Sequence, residues 1–315
     1  MWADFNFALL ITAPIFFILA LGVLFKRIGL VTEDFARIGS DLVFKVTLPC
    51  LLFVKLVKTD FLNGLPVALI VYALLATVLL FLVLDRLIAP QLHTSQDRGV
   101  FVQGAFRSNM GIIGLAYCLS AFGEGVVTAA SIYLAFMTTL FNVLAVITLT
   151  RHRGQAVGEK SVRYILQGIV KNPLILAIVA GVFISLANVH IPDILLNTGS
   201  YFAQMTLPLA LLCAGATIRL QEFQTSRPLY WAVSAKLLII PLLITAGGVV
   251  VGLRGETLGV LYLMCAAPTA AASYPMAQAM NANHHLAAAI IAATSIGSLL
   301  STTLGIFLLR QLGLI

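Results

Sequence analysis

The chain has 315 residues, of which 60% are hydrophobic and only 10% charged, with a mean hydropathy of +1.03. So little polar surface cannot clothe a water-soluble globule, which excludes the soluble enzyme and binding-domain classes and leaves the bilayer as solvent, with membrane lipid as a partner. The net charge of +7 is spread through short loops between apolar runs, with no basic stripe interleaved with aromatics, so nucleic acid is excluded.

A helix needs about 20 mostly apolar residues to cross the hydrocarbon. Runs of that order predict ten spans, near 7–25, 41–57, 65–84, 100–120, 126–150, 165–187, 199–218, 229–252, 257–280 and 286–309. Lys26 and Arg27 follow the first run instead of preceding it, so it reads as a retained span and not a signal peptide. Polar breaks come next at Lys58-Thr59-Asp60, Asp85-Arg86 and Gly123-Glu124-Gly125, and the longest runs from Arg151 to Lys171. Cys50, Cys118, Cys213 and Cys265 each lie inside an apolar run without paired spacing, so they read as small buried hydrophobes; no disulfide, metal site or cofactor is expected.

The first half recurs in the second at an offset of 159 residues without a gap. Pro14 recurs as Pro173, Gly22 as Gly181 and Asp34 as Asp193, and Val46 to Phe53 (VTLPCLLF) recurs as Met205 to Leu212 (MTLPLALL), which aligns Pro49 with Pro208. The chain therefore divides into a first five-helix repeat, residues 1–155, and a second, residues 156–315. With the N-terminus outside, twelve bases fall in inside loops (Lys26, Arg27, Arg37, Arg86, Arg98, Arg151, Arg153, Lys160, Arg163, Lys171, Arg219 and Arg227) and four outside (Lys55, Lys58, Arg254 and Arg310). That bias predicts both termini on the outer face of the membrane. Five spans is an odd number, so the second copy enters from the opposite side and the repeat is inverted, which is how many secondary transporters place a substrate site near mid-membrane.

The fourth span of each copy is irregular. Gly104 to Leu119 carries Arg107, Ser108, Asn109, Gly111 and Gly114, and its counterpart, Cys265 to Met280, carries Pro268 and Pro275. Proline removes a backbone donor and glycine permits non-helical backbone, so both spans are expected to break inside the membrane. Such backbone is tolerated only where it is buried in protein or lines a wet cavity. The N-termini of the resulting half-helices would face an anion, beside Ser108, Asn109, Thr269, Ser273 and Tyr274.

Arg107 and Lys236 lie at ~12–14 Å from the cytoplasmic end of their spans, counted at 1.5 Å per residue. Asp41 and Asp85 fall at span ends, so no carboxylate is expected beside them. Two readings of each base stand: a seat for an anionic substrate, with Arg107 able to grip a carboxylate through two donors, or packing against carbonyls released at a helix break. Lys45, nearer the cytoplasmic end, can snorkel. His93, His152, His190, His284 and His285 fall in or beside loops and are expected to be solvated, although the His284-His285 pair next to the second irregular span could titrate near neutral pH. No nucleophile–base constellation or phosphate loop is readable, so no enzyme is expected.

The order and spacing of LVFKVTLPCLLF, FRSNMGIIGLA with the adjoining FGEG, KNPLILAIVAGVFISL, TLPLALLCAGATI, AAPTAAASYPMA and IGSLLSTTLGIFLL identify a resemblance over essentially the whole chain. The chain resembles the auxin efflux carrier family, and within it the bacterial malonate or malate transporter-like members. The resemblance implies an all-α polytopic fold shared with plant PIN-formed carriers and bile-acid:sodium symporter homologues, with broken fourth and ninth helices that cross. It also implies a scaffold of spans 1, 2, 6 and 7 that often dimerises, and a transport domain of spans 3–5 and 8–10 that moves like an elevator. Asn109 matches the family's substrate-contacting Asn, and Asn142 falls where relatives place a polar residue in the fifth span. Ala116 stands where many members have the first crossover proline, so the glycines are expected to supply that break. The function expected is secondary transport of a small organic anion, a mono- or dicarboxylate or an auxin-like acid, with H+ or Na+ as a coupling ion. A sodium-coupled carrier of larger amphipathic anions and a non-transporting receptor are the alternatives.

Overall fold

The computed structural model describes residues 2–58, 66–152, 170–218 and 226–315. Among them every regular element is a helix. In chain order these are α1 (Trp2–Arg27), α2 (Glu33–Leu42), α3 (Leu48–Val57), α4 (Val67–Val83), α5 (Ser95–Phe106), α6 (Leu115–Phe122), α7 (Val127–Arg151), α8 (Pro173–Leu186), α9 (Asp193–Ala216), α10 (Arg227–Ser234), α11 (Ile240–Val250), α12 (Gly255–Ala266), α13 (Ser273–Ala279) and α14 (His284–Gln311). Of the expected features, Thr59, Asp60, Arg153, Lys160, Arg163, Arg219 and the start of the sixth span at 165–169 lie outside the described residues.

Helices are what this composition permits, because in hydrocarbon each backbone N–H and C=O must find its partner within the chain. The continuous stretches Trp2–Arg27, Val67–Gln91, Met110–Arg151, Arg227–Val250 and His284–Gln311 are long and apolar enough to cross a membrane, and Pro173–Leu186 and Gly255–Ala266 are shorter apolar helices. The chain is an all-α polytopic integral membrane protein. Its helix starts are set by ordinary caps: Thr32 Oγ1 accepts from Phe35 N–H, Asn172 Oδ1 from Leu174 N–H ahead of Pro173, and Asn283 Oδ1 from Leu286 N–H. Large apolar side chains such as Phe17, Leu75, Leu79, Phe183 and Leu242 point outward, as lipid-facing positions do.

Among the described residues four one-turn π segments interrupt the helices, at Val43–Thr47, Leu84–Ile88, Met110–Gly114 and Ala235–Ile239. Each inserts an extra residue and rotates the helical turns beyond it, and such bulges gather at functional positions. Two of them carry intramembrane lysines. Lys45 reaches Asp41 at 2.7 Å with its side chain mostly exposed, which fits the snorkelling expectation, whereas Lys236 is completely buried.

The helices pack most closely where small residues permit. A Cβ on Gly215 of α9 would fall on the Leu19 carbonyl of α1, and one on Gly22 of α1 would fall on the Leu212 carbonyl of α9. The backbones of α1 and α9 therefore touch, and α3 packs against both α8 and α9. The four cysteines are unpaired; Cys118, Cys213 and Cys265 are buried and Cys50 is half-buried.

Gly215→Val should push α1 and α9 apart and cost about 1–3 kcal/mol, the usual penalty of overpacking. The thermal unfolding midpoint in detergent should fall by several degrees. Gly125→Ala, at a position with open space around it, should leave the midpoint unchanged.

Candidate functional site

The helix that starts as α5 stops at Phe106, and Arg107 turns extended with φ −83° and ψ 99°. Helical structure resumes only at Met110, through the π turn to α6. The helix that starts as α12 stops at Ala266, where Ala267 is extended (φ −54°, ψ 142°) because the ring of Pro268 excludes the helical region from the residue before it. Structure resumes at α13, whose first turn contains Pro275. Pro268 thus breaks its helix, while Pro275 sits in a first turn, where a missing N–H costs nothing.

The two breaks meet. Asn109 N–H donates to Pro268 C=O at 2.7 Å and Ala270 N–H to Arg107 C=O at 2.9 Å, an antiparallel bridge centred on Ser108 and Thr269. The central side chains cap the helix ends reciprocally. Thr269 Oγ1 donates to Gly104 C=O in the last turn of α5 at 2.7 Å, and Ser108 Oγ donates to Cys265 C=O in the last turn of α12 at 3.1 Å. Carbonyls of a final turn have no intrahelical partner, so each break satisfies the helix that the other interrupts. Thr269 N–H is taken by Thr294 Oγ1 of α14 at 3.1 Å.

Arg107 hangs on this crossover. Its guanidinium donates to Asn142 Oδ1 of α7 at 2.6 Å and to Met276 Sδ of α13 at 2.9 Å, and only 8% of the residue is exposed. Gln103, one turn earlier in α5, donates to the same sulfur at 3.3 Å.

A cavity of about 710 Å³ opens onto one face of the crossover. Arg107, Ser108, Asn109, Gly111, Asn142, Tyr274 and Pro275 line it, so the start of the helix from Met110 and the start of α13 both border the space. Its walls are largely apolar, including Phe44, Leu48, Leu134, Phe141 and Ile291. Its mouth carries Lys26, Glu33, Asp34, Arg37 and Asp41. The mouth carboxylates are paired, Glu33 with Lys26 and Asp34 with Arg37 at 3.0 Å each, and Asp41 with Lys45 at 2.7 Å. The deep cation is Arg107.

A model of the family described as membrane transport protein, that of the auxin efflux carriers, matches residues 8–306. The chain belongs to that family. It is also 23% identical over 308 residues to a protein of Escherichia coli K12 named uncharacterized transporter YfdV, covering 94% of this chain and 96% of that one. The proteins of the same name from Escherichia coli O157:H7 and Shigella flexneri match to the same extent. As a family member with membrane-crossing helices, the chain is a transporter.

Not every expected site residue of this transporter borders the cavity. Thr269 and Ser273 are buried at the crossover, and Pro268 and Gly114 stand behind it. Lys236 is turned away from the cavity: its ammonium donates to Ser108 Oγ and, at 2.9 Å, to Cys265 C=O. Of its two sequence readings, this geometry is the one in which a base packs on a released carbonyl. The glycines do not supply the first break, which precedes them at 107–109. Gly114 has ordinary helical backbone and is needed for closeness, since a Cβ there would meet Met264 Sδ at 2.9 Å. Ala116, lying within α6, has no bearing on the break.

The sequence reading missed Met276, a thioether acceptor with no pattern to mark it. Asp85 also departs from its expected place at a span end. The helix continues past it to Gln91, and its side chain is 2% exposed, held by Thr148 Oγ1 at 2.7 Å, Arg151 Nη1 at 2.5 Å and His152 Nε2 at 2.9 Å from α7 and its C-cap. His152 is therefore buried on a carboxylate and not solvated as expected. His284 packs edge-on against Tyr274 at 5.7 Å, and its ring lies 4.3 Å from that of His285 at a tilt of 35°.

Asp85→Ala should strand these donors beneath α4. Removing one partner of a buried pair costs ~3–5 kcal/mol. The loss here belongs at or below the low end of that range, because Arg151 is 37% exposed and regains water. Thermal unfolding in detergent against Asp85→Asn, which keeps the shape and an acceptor, should rank wild type above Asn and Asn above Ala.

Proposed function

We propose that this transporter is a secondary carrier of small organic anions that binds the carboxylate of its substrate against Arg107 at the crossover. One observation carries the reading: the guanidinium is held at the base of the cavity beside the start of the helix that resumes at Met110, so a fixed positive charge borders the space where a ligand would sit. Asn142 and Met276 fix the guanidinium plane from two different helices, and a preset plane suits bidentate contact with a carboxylate. Asn109 stands beside it.

The mechanism we infer is alternating access by an elevator-type motion of a ten-helix fold built from two inverted five-helix repeats. The close packing of α1 with α9 and of α3 with α8 and α9 supports a scaffold of spans 1, 2, 6 and 7, and a homodimer through that scaffold is part of the reading. Spans 3–5 and 8–10 then carry the crossover as the transport domain. With the basic bias of the loops assigning the Lys26 and Arg37 end to the cytoplasm, both termini are periplasmic, the membrane is a bacterial inner one, and the cavity is open inward.

The cavity volume and its aromatic and aliphatic wall favour a second reading of the substrate, in which an apolar body accompanies the carboxylate, as in indole-3-acetate.

Uptake of labelled malonate, malate and indole-3-acetate into proteoliposomes under imposed pH or sodium gradients separates these readings. Arg107→Ala should lower the rate about 10- to 100-fold, the equivalent of the ~1.5–3 kcal/mol of a hydrogen bond to a charged group, and Asn142→Ala should lower it less. Flux of none of the three by wild type would remove the carboxylate assignment, and an unchanged rate in Arg107→Ala would remove the residue from the site.

A further inference from the structure

Lys236 lies in the π turn between α10 and α11, fully buried, and its ammonium contacts Ser108 Oγ and Cys265 C=O. The two acceptors belong to different breaks, Ser108 to the first and Cys265 to the helix end before the second. Cys265 C=O would take Thr269 N–H if α12 continued, but that donor is committed to Thr294. The released carbonyl sits at the negative end of α12, inside hydrocarbon, with a hydroxyl oxygen beside it. Released carbonyls and helix C-terminal ends at an intramembrane break are the oxygen donors with which carriers hold monovalent cations. Among the described residues no carboxylate lies within ion-pair distance of the Lys236 ammonium, so its charge is met by the hydroxyl and by peptide dipoles.

We propose that Lys236 is a tethered cation: its ammonium fills, permanently and from within the chain, the place at the crossover that an inorganic monovalent ion would otherwise occupy. The closest feature in the other half of the crossover is Gly104 C=O at the end of α5, which is capped by the Thr269 hydroxyl. A lysine cannot leave, so the crossover is assembled in every state of the cycle and needs no ion to complete it. For the transport cycle this rests on the carrier reading above, and it makes that carrier independent of sodium. For the folded protein it stands on the geometry alone.

The Ser108 hydroxyl has one proton, which it gives to Cys265 C=O, so the lone pair that receives Lys236 has nothing else to accept from. Shortening the lysine leaves two oxygens and a space. A small cation entering that space restores what was removed.

The test is thermal unfolding of purified wild type, Lys236→Ala and Lys236→Met in sodium, lithium, potassium or choline chloride at equal ionic strength, with binding of radiolabelled sodium as a direct readout. Wild type should unfold within about 1 °C in all four salts and bind no sodium. Lys236→Met, whose apolar chain fills the space, should be less stable than wild type in all four. Lys236→Ala should be destabilised in choline and should recover saturably, by about 3 °C or more, in at least one small cation. Saturable stabilisation of wild type by sodium overturns the proposal. So does Lys236→Ala that matches wild type in choline, or that no cation restores. Should Lys236→Ala not fold, Lys236→Arg, which keeps the charge, must be as insensitive to the four salts as wild type. Uptake into proteoliposomes adds the transport arm: rates should be equal in sodium and choline. Absence of all uptake with an intact salt series removes the carrier reading and leaves the tethered cation in place.

Discussion

Interrupting a helix inside a membrane releases backbone groups that water would otherwise satisfy, and each one left alone costs several kcal/mol. This protein interrupts two helices and sets the breaks against each other. Two backbone hydrogen bonds, Asn109 to Pro268 and Ala270 to Arg107, close an antiparallel bridge, and Thr269 and Ser108 cap the carbonyls released on the opposite helix. Neither break is tolerable without the other. The positions of Arg107, Asn109, Tyr274 and Pro275 around the cavity all derive from that mutual dependence.

The same constraint decides which neighbours must be held rigidly. The Ser108 hydroxyl both donates to Cys265 and accepts from Lys236, so α10 and α11 are fixed to the crossover through a single side chain. On the other side, Thr294 of α14 takes Thr269 N–H, and Met276 of α13 and Asn142 of α7 take the guanidinium of Arg107. These helices are bound to the crossover by specific polar contacts. Against α2 and α9, in contrast, the crossover faces the cavity, whose wall is mostly apolar. The directional bonds that motion of one group past the other would have to exchange lie elsewhere, between Asp4 and Arg310, Thr12 and Thr303, Ser120 and Ile11 C=O, and Lys55 and Glu124.

Much of the fold and part of the site were legible in the residues. Hydropathy predicted the helices because continuous apolar runs of about 20 residues satisfy their backbone in lipid as helices and not as the short alternating strands of a barrel, and the 159-residue offset linked the breaks: adding it to Arg107–Asn109 gives 266–268, and α12 ends at Ala266. Proline chemistry located the second break at Pro268. The first was expected from Gly111 and Gly114, yet the chain leaves the helix at Arg107, ahead of both. The reason is that this break is set by its partner strand, through Pro268 C=O and Ala270 N–H, and a tertiary hydrogen bond leaves no mark on local sequence. Asp85 and His152 were misread for a related reason. A charge at the end of an apolar run looks solvated unless the donors that bury it, here from a helix more than 60 residues away, are known.

Arg107 and Lys236 show why depth alone does not assign a buried base. Both were placed ~12–14 Å into the membrane by counting residues, and both could be read as a seat for an anion or as a partner for a released carbonyl. The shape of the acceptor each meets separates them. The ammonium is compact and finds a hydroxyl and a carbonyl oxygen, donors of the kind that bind point cations, and it closes over them completely. The guanidinium is planar and broad, and Asn142 and Met276 take two of its donors while its surface stays on the cavity. A charge that is wholly enclosed can only organise the protein around it, whereas one that reaches a cavity can also meet a ligand. An ammonium in place of the Arg107 guanidinium, held between Asn142 and Met276, would therefore keep the charge and lose the plane that suits a carboxylate, so charge alone would not restore the site.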